Sequence, residues 1–262
     1  MNQIFWSLMF RAWYWYISKK DADNEILFMN YGYEDSSQKI ILDKIDESNR
    51  YSIQLYHRLV SAVDLKNKNI VEIGCGRGGG LAYIAKTFSP SGALGIELEN
   101  RAVNFANKFY NIDGLSFKQG NALNMPIESN AYDVVLNVES SHRYLDMDQF
   151  LSEVSRVLKN DGYFLFTDFR SPERMPALRE SLNSLGLKLI EEQEINSQVV
   201  AALNHDNARR KNLVEKIAPG FLHKTALKFA GVVDSETYNK ILSGELVYFL
   251  YIFQKNGQKN RN

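Results

Sequence analysis

A short glycine-rich segment between an apolar run and a helical pattern constrains the fold of this chain most strongly. Residues 69–75 form an apolar run that predicts a buried strand, residues 76–80 are rich in glycine, and a helical pattern continues to residue 88. Glycines at such a turn let the backbone bend tightly and approach a ligand, and the following helix offers unpaired N–H groups. The segment therefore predicts a strand–turn–helix unit that binds a ligand.

Strand and helix patterns alternate after this unit. Helices are predicted at 100–110, 147–158 and 172–185, and further strands at 93–98, 115–119, 132–138, 163–168, 186–195 and 245–254. This alternation predicts an α/β fold with a doubly wound, mainly parallel sheet of seven strands. Residues 197–242 have a helical pattern but are too few to form their own core, so they are interpreted as a helical insertion between strands six and seven.

The predicted organisation has four parts. Residues 1–66 form an N-terminal helical lid, 67–196 the core, 197–242 a helical cap insertion, and 243–262 the last core strand and a tail. Trp6, Trp13 and Trp15 fall in the first fifteen residues, where apolar side chains recur at helical spacing, but Arg11 interrupts the run expected of a membrane-spanning helix. Two interpretations stay open: the helix packs on the protein, or its aromatic face also contacts a membrane surface or a hydrophobic substrate.

Composition excludes several classes of protein. Lys and Arg number 31 against 31 Asp and Glu, so the chain has no basic footprint for nonspecific nucleic-acid binding. One cysteine rules out a disulfide framework and a multi-cysteine metal site, and it predicts a reducing, cytoplasmic location. The four histidines lack metal-ligand spacing, so no metal is predicted.

An acidic residue at the end of the second strand indicates what the glycine-rich turn binds. Glu97 lies 21 residues beyond Gly76, where a carboxylate accepts hydrogen bonds from the ribose hydroxyls of an adenosine. The glycine pattern alone would also suit NAD. Glu72, two residues before Gly74, favours another nucleotide, because dehydrogenase strands are usually apolar there.

The run from Glu72 to Gly78, E-x-G-C-G-x-G, resembles motif I of class I S-adenosylmethionine-dependent methyltransferases. Later landmarks follow in order, at 120–122 after strand three, at 132–135 in strand four and at 161–163 before strand five. The resemblance implies S-adenosylmethionine as cofactor and the strand order 3-2-1-4-5-7-6, with the last strand antiparallel. Most such enzymes carry Asp where this chain has Asn121, whose amide oxygen still accepts a hydrogen bond from adenine. The expected cofactor-binding residues are Tyr33, Glu72, Gly74, Cys75, Gly76, Gly78, Glu97, Leu98, Asn121, Ala122 and Asn137.

Three further segments narrow the resemblance. Residues 28–33, 137–144 and 243–246 are similar to the phthiotriolone/phenolphthiotriolone dimycocerosates methyltransferase family. That similarity implies O-methylation of a hydrophobic small molecule such as a polyketide-derived lipid. It also implies that Tyr31 and Tyr33 belong to a lid over the methyl donor.

Two residues after the fourth strand are the expected catalytic groups. His142 is the candidate base, because an alcohol is a poor nucleophile until it loses its proton, and Glu139 is expected to orient His142 or contact the acceptor. One alternative is C-methylation of an isoprenoid or prenyl diphosphate, with Glu139 removing a proton. The diphosphate would then be held by basic side chains at Arg143, Arg209, Arg210 and Lys211. A second alternative is a protein that binds the cofactor without catalysis.

Overall fold

The computed structural model describes residues 16, 19–21, 24–37 and 40–256. The predicted helix within the first fifteen residues lies outside this part of the chain. Among the described residues, seven strands form one sheet: β1 (Asn69–Ile73), β2 (Gly92–Glu97), β3 (Leu115–Gln119), β4 (Tyr132–Val138), β5 (Leu158–Arg170), β6 (Lys188–Glu194) and β7 (Val247–Gln254). The described helices are α1 (Arg50–Val60), α2 (Gly79–Phe88), α3 (Asn100–Phe109), α4 (Met147–Val157), α5 (Met175–Ser184), α6 (Asn196–Ile217), α7 (His223–Phe229) and α8 (Glu236–Ser243).

The strand order is β3-β2-β1-β4-β5-β7-β6, as predicted. Strands β1 to β5 pair in parallel, whereas β7 runs antiparallel to both β5 and β6. The sequence order reverses between β1 and β4, which are neighbours in the sheet. Open α/β sheets bind ligands outside the carboxyl ends of their strands at such a switch point.

Apolar side chains cover both faces of the sheet. Ile53, Leu55 and Leu59 of α1 have no exposed surface, and side chains of α2 and α6 belong to the same core cluster. Helices α4 and α5 cover the opposite face, where Phe150 and Leu151 are fully buried. Both faces are therefore buried, as a mainly parallel sheet requires.

The segment before α1 is extended and lies beside the helical insertion. The backbone N–H of Tyr33 donates to the Tyr51 carbonyl at 3.0 Å, and the N–H of Glu34 donates to the Gln198 carbonyl at 3.1 Å. Residues 24–37 therefore contact both α1 and the beginning of α6. No helix among the described residues has the length and apolarity to cross a membrane.

Candidate active site

The glycine-rich loop connects β1 to α2 in a conformation that glycine favours. Gly74, Gly76 and Gly78 have φ angles of 75°, 56° and 84°, in the left-handed region. A Cβ atom on Gly74 would lie 2.4 Å from Ser140 Oγ, and one on Gly78 would lie 2.5 Å from the Phe117 ring. The loop is thus packed against the ends of two other strands, with no room for side chains at these positions.

Glu97 holds the loop from the end of β2. Its carboxylate accepts hydrogen bonds from the N–H groups of Gly76 and Glu99, both at 3.0 Å, and burial raises the pKa of this carboxyl group. A carboxylate offers about four acceptor positions, so both oxygens can still accept a ribose hydroxyl. Leu98, the next residue, is 54% exposed and offers an apolar surface for a purine beside that carboxylate. These two residues fit an adenosine.

Glu72 lies near the carboxyl end of β1 with no exposed surface. Tyr56 donates its hydroxyl to Glu72 Oε1 at 2.7 Å, whereas Oε2 has no hydrogen-bond partner among the described residues. Burial raises the pKa of Glu72 to about 7. A buried acceptor without a donor is costly, and a cationic amino group of a ligand would supply the donor. Glu72 therefore fits the methionine end of S-adenosylmethionine.

Cys75 contributes through its backbone. Its side chain is buried and burial raises the pKa of the thiol well above its ordinary value, which disfavours the nucleophilic thiolate. The N–H groups of Gly74 and Cys75 both point at the Ile96 carbonyl, at 2.8 and 3.3 Å. Cys75 thus helps to tie the start of the loop to β2.

The residues after β3 occupy a polar turn. Asn121 is exposed, and its side-chain oxygen accepts the N–H of Leu123 at 2.9 Å, while Ala122 is half-buried beside it. One lone pair of this oxygen is thus used within the turn and one is left for a ligand. An adenine contact at Asn121 and Ala122 stays a prediction.

Asn137 joins the ends of β1 and β4. Its side chain is fully buried, and Nδ2 donates to the Ile73 carbonyl at 2.9 Å and to Ser140 Oγ at 2.7 Å. These bonds fix the loop start relative to the turn that carries the predicted catalytic residues. Asn137 therefore holds the ends of β1 and β4 together from a buried position.

Tyr33 packs among core residues beside α1. It is 4% exposed and packs in the core, where its hydroxyl is hydrogen-bonded to Arg58. Arg58 in turn forms an ion pair with Glu191 of β6. The side chain of Tyr33 is thus engaged with α1 and β6, and a contact between Tyr33 and the cofactor stays a prediction.

His142 forms a buried hydrogen-bonded pair with Asp168. His142 Nδ1 lies 2.8 Å from Asp168 Oδ1, and Asp168 Oδ2 accepts the His142 backbone N–H at 2.9 Å and the Ser141 hydroxyl at 2.6 Å. Asp168 is fully buried near the end of β5, with the Arg170 guanidinium 3.2 Å from its Oδ2. Asp168, rather than Glu139, is the residue that orients His142.

The surroundings fix the tautomer of His142. Asp168 is an acceptor, so Nδ1 carries the proton, and Arg143 Nε donates at 3.1 Å to Nε2, which therefore presents its lone pair. Burial lowers the pKa of the imidazole, although Asp168 opposes the shift. Burial would raise the pKa of Asp168, but the charges of His142 and Arg170 outweigh it and hold that pKa well below its ordinary value. His142 is thus neutral near pH 7 and available as a base.

Glu139 anchors the extended N-terminal segment. Its Oε1 accepts the Tyr31 backbone N–H at 2.7 Å and the Tyr248 hydroxyl, and burial raises its pKa to about 8. Arg210 Nη2 donates to the Tyr31 carbonyl at 3.1 Å. The peptide groups on both sides of Tyr31 are therefore held by buried side chains from different parts of the chain.

These residues surround a cavity of about 170 Å³. Glu139, His142 and Phe169 line it from the sheet edge, Tyr31 from the extended segment, and Leu213 and Phe229 from the helical insertion. The His142 ring stacks on Phe169 with centroids 4.5 Å apart. Most of the lining is apolar, so the cavity suits a hydrophobic molecule.

A buried ion pair connects the glycine loop to the same extended segment. Arg77 Nη1 lies 2.5 Å from Asp21 Oδ2, and the two side chains are 3% and 1% exposed. The guanidinium also lies 3.7 Å above the Phe105 ring, and Asp21 accepts the N–H groups of Glu25 and Ile26. The loop and the segment lining the cavity are thus fixed to each other.

Comparisons with known proteins identify the chemistry of this fold. Residues 64–231 match the family described as methyltransferase domain. The fatty-acid O-methyltransferase of Mycolicibacterium smegmatis is 38% identical over 243 residues, covering 92% of this chain and 88% of that protein. The phthiotriol/phenolphthiotriol dimycocerosates methyltransferase of Mycobacterium tuberculosis is 34% identical over 249 residues, covering 95% and 92%. The chain belongs to this methyltransferase family.

A solved structure agrees at the level of the fold. Geranyl diphosphate C-methyltransferase from Streptomyces coelicolor, in complex with Mg²⁺, geranyl diphosphate and S-adenosyl-L-homocysteine, superposes with a TM-score of 0.67 at 16% identity, covering 90% of this chain and 94% of that one. The predicted fold, the enzyme class and S-adenosylmethionine as methyl donor are confirmed by these matches. The alternative of a non-catalytic binding protein is not supported.

Sequence analysis missed Asp168 and Arg77 in this methyltransferase. Asp168 is the last residue of the predicted fifth strand, and the carboxyl end of that strand lies beside the carboxyl end of the fourth strand. Its position in the sequence could therefore have indicated that it lies near His142. Arg77 lies inside the glycine-rich segment itself, but its partner Asp21 is 56 residues away in irregular chain. Only the folded structure brings that pair together.

Proposed function

We propose that this methyltransferase O-methylates a hydroxyl group on a hydrophobic, lipid-like small molecule. The observation that carries the proposal is the His142–Asp168 pair beside an apolar cavity at the switch point of the sheet. Both relatives named above methylate lipids according to their names. The two names imply different acceptor groups, a carboxylate in a fatty acid and a hydroxyl in a phthiotriol.

The cofactor is held by residues at the carboxyl ends of β1, β2 and β3. Glu97 binds the ribose, Leu98 and Asn121 contact the adenine, and Glu72 together with the glycine loop holds the methionine end. When bound, S-adenosylmethionine supplies an electrophilic methyl group on a sulfonium. The rest of the reaction falls to the positioning of the acceptor and the removal of its proton.

His142 acts as the general base. An acceptor hydroxyl takes the place of the Arg143 Nε–H at the Nε2 lone pair and transfers its proton there as the carbon–oxygen bond forms. Asp168 keeps the other ring nitrogen protonated and stabilises the imidazolium that results. A carboxylic acid is already ionised at neutral pH and needs no such base, so this pair favours a hydroxyl acceptor.

Glu139 acts as a positioning residue rather than a base. Its bonds to Tyr31 and Tyr248 hold the extended segment against the cavity, and its raised pKa keeps the carboxyl group mainly neutral at pH 7. The segment and the helical insertion together cover the acceptor and exclude water. These are the two parts of the chain for which the sequence predicted a lid and a cap.

C-methylation of a prenyl diphosphate fits this chain less well. Arg209 and Arg210 both form ion pairs with Asp206, at 2.5 and 2.9 Å, and Arg210 also binds three backbone carbonyl groups. Side chains engaged in this way have little capacity left for a diphosphate. Arg143, Arg209 and Arg210 all line the cavity, and most of the remaining lining is apolar. Because Arg209 and Arg210 already have partners, the cavity favours an uncharged acceptor.

Incubation of a cell extract with the enzyme and methyl-deuterated S-adenosylmethionine tests the proposal. Mass spectrometry should show a labelled, lipid-soluble product that releases labelled methyl iodide on heating with hydriodic acid but resists mild alkaline hydrolysis. Label released by mild alkali would identify a methyl ester and a carboxylate acceptor. Label on carbon, which neither treatment releases, would overturn O-methylation. The His142→Ala variant serves as the control for background labelling.

A further inference from the structure

The helical segment from Gly220 to Phe229 has two faces with different surroundings. It consists of a 3-10 turn, Gly220–Leu222, that continues into α7. On the inner face, Ala226 and Phe229 line the cavity. On the outer face, Phe221 is 85% exposed, and Lys224 and Lys228 are exposed as well. The segment thus forms a wall between the cavity and the solvent.

Helical spacing places the outer residues together. Lys224 and Lys228 follow Phe221 by three and seven positions, which puts the three side chains on one face of a helix. Lys228 forms an ion pair with Glu236 at 2.5 Å, with both side chains about half exposed, while Lys224 has no ion pair within the described residues. An exposed aromatic side chain is therefore bordered by positive charge.

The positive charge is local to this part of the chain. Residues 220–229 contain two lysines and no acidic residue, a net charge of +2, whereas the whole chain has a net charge of zero. Aromatic side chains insert at the boundary between lipid headgroups and acyl chains, and lysines beside them bind anionic headgroups. One protruding aromatic ring among flexible lysines suits a fluid surface better than a protein interface, which needs about 800 Å² of matched surface on each partner.

We propose that the outer face of residues 220–229 docks on an anionic lipid surface, so that the wall of the cavity rests where a lipid acceptor is dissolved. The inference rests on the proposed function, since a lipid-like acceptor partitions into membranes. Tyr16 points to the same location, because it donates its hydroxyl to the Ile217 carbonyl at the end of α6. This hydrogen bond places Tyr16 beside Ile217, three residues before the start of the segment.

Vesicle sedimentation tests the docking directly. The full chain should co-sediment with vesicles of phosphatidylcholine and phosphatidylglycerol far more than with phosphatidylcholine alone, and less as salt increases. Phe221→Ser should lower the partition coefficient about tenfold or more, because a buried aromatic ring is lost. Lys224→Gln with Lys228→Gln should lower it about 25-fold, at about fivefold for each lysine.

Matched controls lie on the edge strand β6. Leu189 is 43% exposed and Lys188 is exposed there, so Leu189→Ser and Lys188→Gln change the same kinds of side chain at another surface. These controls should bind vesicles like the parent. Equal binding by all variants, or equal binding to both kinds of vesicle, would overturn the proposal. Binding of the parent to an acidic protein but not to vesicles would also overturn it.

Turnover of a short, water-soluble acceptor separates this inference from the proposed function. The docking variants should methylate that acceptor at the parental rate but lose activity toward the same headgroup carried in vesicles. Loss of both activities would place these residues in the catalytic machinery and refute docking. Absence of methylation of any acceptor by the parent, with vesicle binding intact, would refute the proposed function alone.

Discussion

Replacing Asp168 by Asn tests the assignment of His142 as a base. The amide has one acceptor and one donor where the carboxylate has two acceptors. In the parent, the His142 backbone N–H donates to Asp168 Oδ2 at 2.9 Å. If the amide oxygen of the variant faces His142 Nδ1, the amide N–H group faces this backbone N–H, and two donors meet without an acceptor. If the amide is flipped, its N–H donates to Nδ1, and the ring must carry its proton on Nε2. The flipped arrangement leaves no lone pair for the acceptor.

The expected loss follows from the role of the base. A general base contributes about 10²–10⁴-fold to a rate, so turnover by Asp168→Asn should fall by about that factor, or roughly 3–5 kcal/mol of activation free energy. Cofactor affinity should change little, because Asp168 lies at the end of β5 and not beside the glycine loop. Asp133→Asn is a matched control, because Asp133 also pairs with a cation, Lys159 at 2.8 Å, at a partly exposed site away from the cavity.

A double-mutant cycle provides the decisive measurement. If Asp168 acts through His142, the Asp168→Asn change should have almost no further effect on turnover in a His142→Ala background. Rates are measured at saturating cofactor, with circular dichroism to verify folding. Losses that multiply in the double variant would refute the pairing. Full activity of the His142→Ala variant toward a carboxylic acid acceptor would refute the assignment of His142 as a general base for this enzyme's acceptor.

Three further outcomes are expected. Glu97→Ala should weaken S-adenosylmethionine binding in calorimetry by about 1.5–3 kcal/mol, since charge-assisted hydrogen bonds are lost, and an unchanged dissociation constant would remove Glu97 from the site. The acidic limb of the pH profile of kcat/KM should have its midpoint below pH 6.5, because burial lowers the pKa of His142 and protonated His142 cannot accept a proton. A midpoint above pH 6.5 would contradict this assignment. Asp21→Asn should lower the free energy of unfolding in urea by about 3–5 kcal/mol, because Arg77 is left charged and buried, whereas Arg179→Gln at an exposed pair should cost less than about 1 kcal/mol.

The strands and the glycine-rich turn could be predicted because their signals are local. Each apolar run and its flanking glycines are contiguous in the chain, and Glu97 lies at a fixed distance from the loop. Boundaries were less accurate, because β5 extends from Leu158 to Arg170, beyond the predicted 163–168. Pairing with β7 continues to Arg170, and Leu158 at the other end pairs with Tyr132 of β4. Strand order came from the family resemblance, since apolar patterns alone do not specify which strands are neighbours.

The contacts between side chains could not be predicted in the same way. The partners of His142, Arg77 and Glu72 lie 26, 56 and 16 positions away, and their meeting depends on how strands and helices pack. Glu139 illustrates the difficulty: it is three residues from His142, yet its bonds go to Tyr31 and Tyr248. Proximity in the chain suggested a partnership that the turn after β4 does not permit.

The place of β7 in the sheet has a consequence for how this protein is made. Val247–Gln254 inserts between two strands that are synthesised earlier, and it pairs with β5 along eight residues and with β6 along six. While a ribosome is still translating residues before 247, β5 has an open edge and β6 has no partner. Unpaired edges of this kind attract other chains, so nascent molecules are exposed to aggregation until this strand emerges. Two of the seven strands, β7 and β6, therefore join the sheet only after β7 has been translated, whereas β1 to β5 can pair while synthesis continues.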